Sequence, residues 1–352
     1  MNEALPASQL CEAYGRRARQ RAAALAGLLA ALLALLLADV LAGPSSMAPA
    51  AVVSALLAGP DGAGRAAAAI VWAIRLPAAL TGGLVGVALG MAGQQMQTIL
   101  DNPLASPFTL GFSAAAGFGA ALAIMFGAAL PLAGWLLVPA SAFGATLVAC
   151  LLVYAIARLR GATAEILVLG GIAVLFLFQA LQSLLQYLAS PEVLQQIVFW
   201  LFGSLLKATW TSAGVIAATL CLAVPLFLAE SWKLTALRLG ETHARSLGVD
   251  VAALRRRTFI LVALVTAAAV AFVGTIGFVG LVAPHAARAL VGEDQRAALP
   301  AAGMIGGAMI AGASVLSKLV GGGAVVPVGI VTAVVGVPIL FAILLCRGGA
   351  AA

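Results

Sequence analysis

The stretch that decides the class of fold is "RRRTFILVALVTAAAVAFVGTIGFVG", from Arg255 to Gly280. After its three arginines it reaches Gly280 without a charged side chain, which satisfies the ~20 apolar residues that a helix needs to cross a bilayer. Similar runs cover Arg21 to Ala38 and surround Leu147–Ala157. The chain is 63% hydrophobic and 9% charged, whereas soluble domains carry about 25% charged residues. The sequence therefore predicts an all-α polytopic membrane protein.

Breaks in hydrophobicity, Gly/Pro clusters and charges predict about ten transmembrane helices. The eighth is short, and its Gly277 and Gly280 indicate a bent segment that is tolerated only inside a helix bundle. Ten spans are compatible with two five-helix halves of opposite orientation, an inverted repeat. The predicted spans are residues 22–42, 76–99, 109–130, 133–157, 164–188, 210–229, 257–275, 277–291, 297–317 and 328–346.

The distribution of positive charge orients these helices. Of the 19 Lys and Arg residues, this division places fifteen on one side and four on the other. Because cytoplasmic loops carry the excess of positive charge, the fifteen-residue side and both termini are predicted to be cytoplasmic. The predicted parts are a cytoplasmic N-terminal segment at 1–21, one transmembrane domain at 22–346 with a cytoplasmic loop at 230–256, and a cytoplasmic tail at 347–352.

Two outer connections are expected to hold short helices. The first runs from about Gly43 to Arg75. The second, "ASPEVLQQIVFWLFGSLLKATW", follows the fifth span and is amphipathic and aromatic. Its Trp200 and Trp210 suit the headgroup level of a membrane, where tryptophan is enriched.

The net charge of +7 does not indicate a nucleic-acid partner, because the basic residues lie between apolar spans, where they set topology. The cysteines lack C-x-x-C spacing and are interpreted as packing residues or inert thiols. They are Cys11, Cys150, Cys221 and Cys346.

If this membrane protein is a transporter, the energy for transport is expected to come from another chain. The sequence contains no G-x-x-x-x-G-K-[ST], the motif of a P-loop. Asp101, Glu165 and Glu192 fall at span ends, whereas an ion-driven carrier keeps ionisable groups near the membrane centre. The alternative to a transporter driven by another chain is a secondary carrier that works without ATP.

The cytoplasmic loop contains "LGETHARSLGV", from Leu239 to Val249. Its pattern predicts a short helix with Gly240 at its start and Gly248 as its C-terminal glycine. Glu241 in the first turn and Arg245 in the last suit the helix dipole and are i, i+4 partners. Spacing alone leaves two interpretations open: a solvated loop that fixes topology, and a docking helix for a cytoplasmic motor.

Six segments stand in order along the chain: "RLP" (Arg75–Pro77), "NPLASPFTLG" (Asn102–Gly111), "FWLFGSL" (Phe199–Leu205), "LGETHARSLGV" (Leu239–Val249), "GFVGLVAPHAAR" (Gly277–Arg288) and "PVGIVTAVVGVPIL" (Pro327–Leu340). Together they resemble the FecCD-type permeases of bacterial ATP-binding-cassette (ABC) importers, the type II group of cobalamin, haem and ferric-siderophore permeases. The resemblance covers nearly the whole chain from Arg75 on.

The resemblance implies a homodimeric permease of a bacterial inner membrane, with a pathway along the dimer axis. Two ATPase subunits would dock on the inner loops, and a periplasmic or extracellular substrate-binding protein would dock outside. The chain itself would be no enzyme and hold no cofactor or metal, with ATP and Mg in the ATPase subunits. The residues implied in ATPase coupling are Leu239, Gly240, Glu241, Ala244, Arg245 and Gly248.

On the outer face the resemblance implies that Arg75 and Lys318 meet acidic residues of the binding protein. The family's usual R-L-P-R has Ala78 at its second arginine here. Its usual A-D-x-x-A-R has Ser314 for the aspartate and Lys318 for the arginine. Because lysine lacks the planar fork of arginine, we expect a geometrically less strict docking contact. Interfacial snorkelling of both side chains is the alternative.

The fifth span carries Gln179, Gln182, Ser183 and Gln186 at i, i+3, i+4 and i+7, which is one face of a helix. Glutamine is costly against lipid unless it is paired. Interhelical hydrogen bonding explains the pattern. The alternative, which the resemblance favours, is that this face lines the central pathway.

The candidate pathway carries no fixed acid or base, and His285, in the "APHAAR" segment, is interpreted as structural. A neutral pathway suits a bulky, poorly hydrated chelate, whereas a bare hard cation prefers oxygen ligands. The predicted function is the permease of an ATP-driven importer for an iron chelate, a ferric siderophore or haem. A cobalamin permease is the alternative within the family.

Overall fold

The computed structural model describes residues 7–43, 47–62, 65–127, 134–320 and 325–348, and within these ranges every regular element is helical. The helices are α1 (Ala7–Leu41), α2 (Pro49–Ala58), α3 (Arg65–Ala69), α4 (Leu76–Ile99), α5 (Phe112–Phe126), α6 (Gly134–Arg160), α7 (Ala164–Leu188), α8 (Pro191–Leu201), α9 (Trp210–Ala229), α10 (Ser231–Leu237), α11 (Glu241–Ser246), α12 (Val251–Val273), α13 (Val279–Val291), α14 (Gln295–Val320) and α15 (Val328–Gly348). A π-helical turn, Ile70–Arg75, joins α3 to α4.

Each predicted span coincides with a helix, in the order α1, α4, α5, α6, α7, α9, α12, α13, α14 and α15. In the described ranges, seven helical segments are long and apolar enough to cross a bilayer by length and composition. The helices α5, α13 and α15 contribute shorter apolar segments at the third, eighth and tenth predicted positions. The prediction of an all-α polytopic membrane protein is confirmed, whereas the inverted repeat stays a prediction.

The predicted third span, 109–130, is longer than α5, because its first residues belong to a turn. The backbone N–H of Ser106 donates to the Thr109 hydroxyl (3.0 Å), and the N–H of Thr109 donates to the Ser106 hydroxyl (3.2 Å). Gly111 closes the turn with a φ of 85°. A Cβ there would lie 2.7 Å from the nitrogen of Leu175, midway along α7. Residues 128–130 lie outside the described residues.

The short helices expected in the outer connections are present as α2 and α8. The Ser190 hydroxyl accepts the N–H of Val193 and caps α8. The indole N–H of Trp210 donates to the carbonyl of Trp72 (2.9 Å), and the two rings stack with centroids 6.4 Å apart. This contact ties the start of α9 to the π-helical turn.

The helices α4 and α14 meet backbone to backbone at the centre of the bundle. A Cβ on Gly86 would overlap the carbonyl oxygen of Gly306, and one on Gly90 would overlap that of Ala302. Such small-residue seams let helices approach closely in membranes, where packing rather than burial from water drives association. We call this contact the glycine seam, formed by Gly86, Gly90, Ala302 and Gly306.

The short helix α13 packs against α4, which agrees with the predicted position of the eighth span inside the bundle. A Cβ on Gly93 of α4 would overlap the carbonyl oxygen of Gly280, near the start of α13. Before α13 the chain is not helical, and Phe278 adopts a left-handed φ of 67°. The preceding helix, α12, ends at Gly274, with a φ of 77°. Irregular backbone at this depth requires a protein interior or a wet cavity, because lipid satisfies no peptide groups.

Candidate functional site

The helix predicted in the cytoplasmic loop is present as α11, six residues long. Gly240 precedes it with a φ of 111°, and Gly248 follows it with a φ of 79°. The N–H of Gly248 donates to the carbonyl of Arg245 (2.9 Å), which satisfies one of the last helix carbonyls. Both glycines stand where the backbone needs a positive φ, which is the conformation that glycine tolerates best.

One side of α11 faces the protein and the other faces solvent. Ala244 is completely buried against the bundle, which fixes the orientation of the helix. Leu239 and Leu247 flank the helix and are 69% and 53% exposed. The predicted i, i+4 pair is formed, with Glu241 and Arg245 3.1 Å apart. The loop therefore presents two exposed leucines and a charged helix side in a form that another protein can contact.

Arg255, in the first turns of α12, anchors α11 to the bundle. Its side chain is 4% exposed, and its Nη2 lies 2.5 Å from Glu241. Its Nε donates to the carbonyl of Ile99, the last residue of α4 (2.8 Å). Sequence reasoning missed this role, although Val251, Arg255 and Phe259 recur at helical spacing and all three are buried. An arginine between two apolar residues on one face of a helix was the sequence signal that could have identified this buried anchor.

A second polar network lies where α4 and α13 end and α14 begins. Arg288 donates to the side-chain carbonyls of Gln94 (3.2 Å) and Gln97 (2.7 Å). Gln94 in turn donates to Gln295 (3.1 Å). All four side chains are buried. Gln94 and Gln97 thus pair with an arginine inside the bundle, which satisfies their buried side-chain carbonyls.

His285 belongs to the structural part of α13. It is 5% exposed, and its Nδ1 lies 2.9 Å from the carbonyl oxygen of Leu281. Burial and a carbonyl partner one turn away agree with the structural interpretation of this histidine.

A cavity of about 360 Å³ lies where the 102–111 turn, the start of α5, α7 and the start of α13 meet. Of the four predicted pathway residues, Gln179 reaches this cavity. Hydroxyls of the turn and the ring of Phe278 complete a wall without an ionisable side chain. We call this space the central cavity; it is lined by Ser106, Phe108, Thr109, Ser113, Leu175, Gln179, Gly277, Phe278, Gly280 and Leu281.

The other three predicted pathway residues lie elsewhere on α7. The Oε1 of Gln182 packs on Gly117 of α5, where a Cβ would overlap it. Ser183 is exposed, and Gln186 is partly buried. The structure thus separates Gln179 from its helical neighbours, and a pathway role for all four stays a prediction. Sequence reasoning assigned no role to the "SPFTLGFS" turn, although its small hydroxyl residues beside a glycine were visible.

The two predicted docking cations both contact the end of α1. Arg75 is 4% exposed, and its Nη1 donates to the carbonyls of Val40 (3.1 Å) and Leu41 (2.9 Å). Lys318 donates to the carbonyl and to the carboxylate of Asp39, each at 2.7 Å. Cations at a helix C-terminus oppose the negative end of its dipole. This placement gives no support to binding-protein docking, which stays a prediction.

Asp39 was not recognised in the sequence as a buried acid. Its side chain is 1% exposed, and its position near the end of a long apolar run hid its partnership with Lys318. The family's aspartate position on α14 is Ser314, which is buried. The carboxylate that meets Lys318 comes from α1.

Comparison with known proteins identifies the family. A family model described as the FecCD transport family matches residues 30–346. The chain belongs to the FecCD transport family. The cobalamin import system permease BtuC of Halobacterium salinarum is 37% identical over 76% of this chain and 71% of its own. The molybdate import permease MolB of Haemophilus influenzae is 35% identical over 80% of this chain and 82% of its own.

A solved structure extends this FecCD likeness to three dimensions. An inward-facing conformation of a metal-chelate type ABC transporter matches with a TM-score of 0.80 and 30% identity. The match covers 91% of this chain and 98% of that one. This FecCD protein is therefore the membrane permease of an ABC importer, and family membership decides against the ATP-independent carrier.

Proposed function

We propose that this FecCD permease imports an iron chelate, a ferric siderophore or haem, across the inner membrane of a bacterium. The observation that carries the proposal is the lining of the central cavity, which offers hydroxyls, one amide and aromatic rings but no ionisable side chain. In a chelate the organic ligand already fills the coordination sphere of the metal. Such a substrate needs weak polar contacts from the wall rather than the oxygen ligands that a bare hard cation requires.

The assembly that we propose has two copies of this chain, two ATPase subunits inside and a substrate-binding protein outside. The exposed leucines and the fixed orientation of α11 support an ATPase contact on the cytoplasmic side. Arg245 and the other cytoplasmic arginines support the orientation, with both termini inside. ATP and Mg would bind to the ATPase subunits, and this chain would supply the route and the contact surface.

A corrinoid is the second candidate substrate, because H. salinarum BtuC is named as a cobalamin import permease. The chemistry of the central cavity also suits it, since cobalamin is a bulky chelate of cobalt. Molybdate, named for the H. influenzae relative, is a small anion and fits an uncharged wall less well.

Reconstitution tests the proposal. The permease, with the ATPase and the binding protein of the same organism, is placed in proteoliposomes. ATP-dependent uptake is then measured for a ferric siderophore, haem, cyanocobalamin and molybdate. We expect uptake of an iron chelate that requires ATP hydrolysis. Uptake of cyanocobalamin alone would replace the iron chelate by a corrinoid, and uptake of molybdate alone would refute a chelate substrate.

A further inference from the structure

Arg238 connects the segment before α11 to two inner loops at once. Its Nη1 lies 3.1 Å from the carboxylate of Asp101, in the turn after α4. Its Nη2 lies 3.1 Å from Glu293, between α13 and α14, and its Nε donates to the same carboxylate (3.2 Å). Arg238 is the residue after α10 and stands two residues before Gly240, so any displacement of α11 acts on it directly.

Asp101 has a backbone conformation that favours glycine, which indicates that its carboxylate serves the contact with Arg238. The N–H of Asp101 donates to the carbonyl of Thr98 (3.4 Å), and that of Asn102 to the carbonyl of Gln97 (3.2 Å), which is the Schellman pattern at a helix end. Asp101 occupies the left-handed position of this motif, with a φ of 44°. Glycine is the residue that fits this position without steric cost. An aspartate there is strained, and the carboxylate that accompanies the strain is the one that meets Arg238.

Both loops that Arg238 holds lead to the central cavity. The turn after Asp101 continues to Ser106, Thr109 and Ser113, which line the cavity. The loop with Glu293 begins at the inner end of α13, whose other end carries the lining residue Gly280. A helix transmits a displacement of one end to the other because its backbone hydrogen bonds keep its length fixed. One side chain next to α11 thus reaches two walls of the cavity.

The exposure of these ion pairs suits a contact that changes during transport. The side chains of Arg238, Asp101 and Glu293 are 24%, 78% and 51% exposed. Exposed ion pairs contribute little to stability, since water screens them and replaces them at little cost. The contact can therefore be broken and remade without unfolding the inner surface, in contrast to the buried Arg255.

We propose that Arg238 is a positioning residue that transmits displacement of α11 to the 102–111 turn and to α13, and so sets the width of the central cavity. The proposal rests on the proposed ATPase contact of α11. It assigns the two carboxylates separate roles, Asp101 as the link to the turn and Glu293 as the link to α13. Substrate contact belongs to the cavity wall, and Arg238 acts only through the two loops.

The test uses the full permease–ATPase complex in proteoliposomes, with Arg238→Ala and Asp101→Gly as the variants. Asp101→Gly removes the carboxylate and relieves the left-handed strain, so folding stability is expected to stay equal or rise. For both variants we expect normal ATPase association and wild-type basal ATP hydrolysis, but about fivefold or more less substrate moved per ATP, the scale of typical coupling between sites. Arg238→Lys, which keeps the charge, should recover part of the loss.

The matched control is Arg257→Ala. Arg257 is 70% exposed and lies 3.6 Å from Glu230, in the same cytoplasmic region but away from both cavity loops. It should keep the wild-type amount of substrate moved per ATP. A second readout is hydrogen–deuterium exchange of residues 102–111, which should respond to vanadate trapping in the wild type and not in Arg238→Ala.

Unchanged transport per ATP in Arg238→Ala and Asp101→Gly would overturn the proposal. A loss of transport in step with a lower melting temperature in both variants would also overturn it, since that result describes a purely structural contact. Failure of the proposed function has a different signature, because the wild-type complex itself would then show no ATP-dependent uptake.

Discussion

At the scale of single residues, the charged side chains divide into buried anchors and exposed links. Arg255 is buried and Lys318 is 11% exposed, and each meets a carboxylate together with a backbone carbonyl. Removing one partner of a buried pair leaves an uncompensated charge, whereas removing both is often tolerated. This asymmetry separates a structural cation from a docking cation.

Lys318→Met should destabilise the protein by about 3–5 kcal/mol, because the buried carboxylate of Asp39 loses its cation. The double variant Asp39→Asn with Lys318→Met should recover most of the loss. The measurement is thermal unfolding of the detergent-purified permease. If instead the single variant melts like the wild type while both variants lose affinity for the binding protein, Lys318 serves docking.

The central cavity provides a second residue-scale comparison on one helix. Gln179→Leu removes the amide that reaches the cavity and should lower ATP-dependent transport about tenfold, the effect of one lost hydrogen bond to substrate. Gln186→Leu makes the same chemical change outside the cavity lining and is the control. The measurement is the initial uptake rate, and equal losses in both variants would instead support the pathway face that the family resemblance favours.

At the scale of secondary structure, the sequence predicts helices well and their interruptions poorly. Hydropathy locates α12, and Gly274 marks its end, because this glycine stops the helix although the apolar run continues. It extends α5 backward over Thr109 because an apolar turn buried in protein has the same composition as a helix. Dihedral angles at Gly111, not hydrophobicity, mark the true start of that helix.

The glycine seam predicts a helix-level result. Gly86→Ala places a methyl group on the carbonyl oxygen of Gly306 and should cost about 2 kcal/mol or more, because α4 and α14 must separate. Gly144→Ala is the control, since a Cβ on this α6 residue meets nothing within 4 Å. Alanine there should be neutral or slightly stabilising, as its helix propensity is higher. Thermal unfolding of both variants is the measurement, and equal melting would contradict the close approach.

The ATPase contact is tested on the exposed side of α11. Leu239→Asp with Arg245→Glu changes the solvent-facing surface and leaves the Glu241–Arg255 pair intact. We expect normal membrane insertion with loss of ATPase co-purification, because a leucine and a cation of the contact are replaced by acids. Reversing Glu241 as well would place a cation beside the buried Arg255, so that variant would confuse misfolding with lost contact. Undiminished co-purification would exclude α11 as the docking helix.

At the scale of the whole molecule, hydropathy was enough for the all-α polytopic architecture and the order of its helices, and motif order was enough for the FecCD family. The partnerships that build the inner surface were not predictable from one sequence. Arg238 meets Asp101 and Glu293 across 137 and 55 residues of chain, and no local pattern encodes such pairs. The central cavity was missed for the same reason, since its wall comes from three separate segments.

The glycine seam also limits how this transporter moves. The main chains of α4 and α14 touch, so no layer of side chains between them can rearrange. Sliding or tilting one helix against the other would therefore make peptide groups collide. The two helices must therefore move as one rigid body through every stage of a transport cycle. Opening and closing of the transport pathway are then left to the surrounding elements, whose contacts are exposed to solvent and are easily broken and remade.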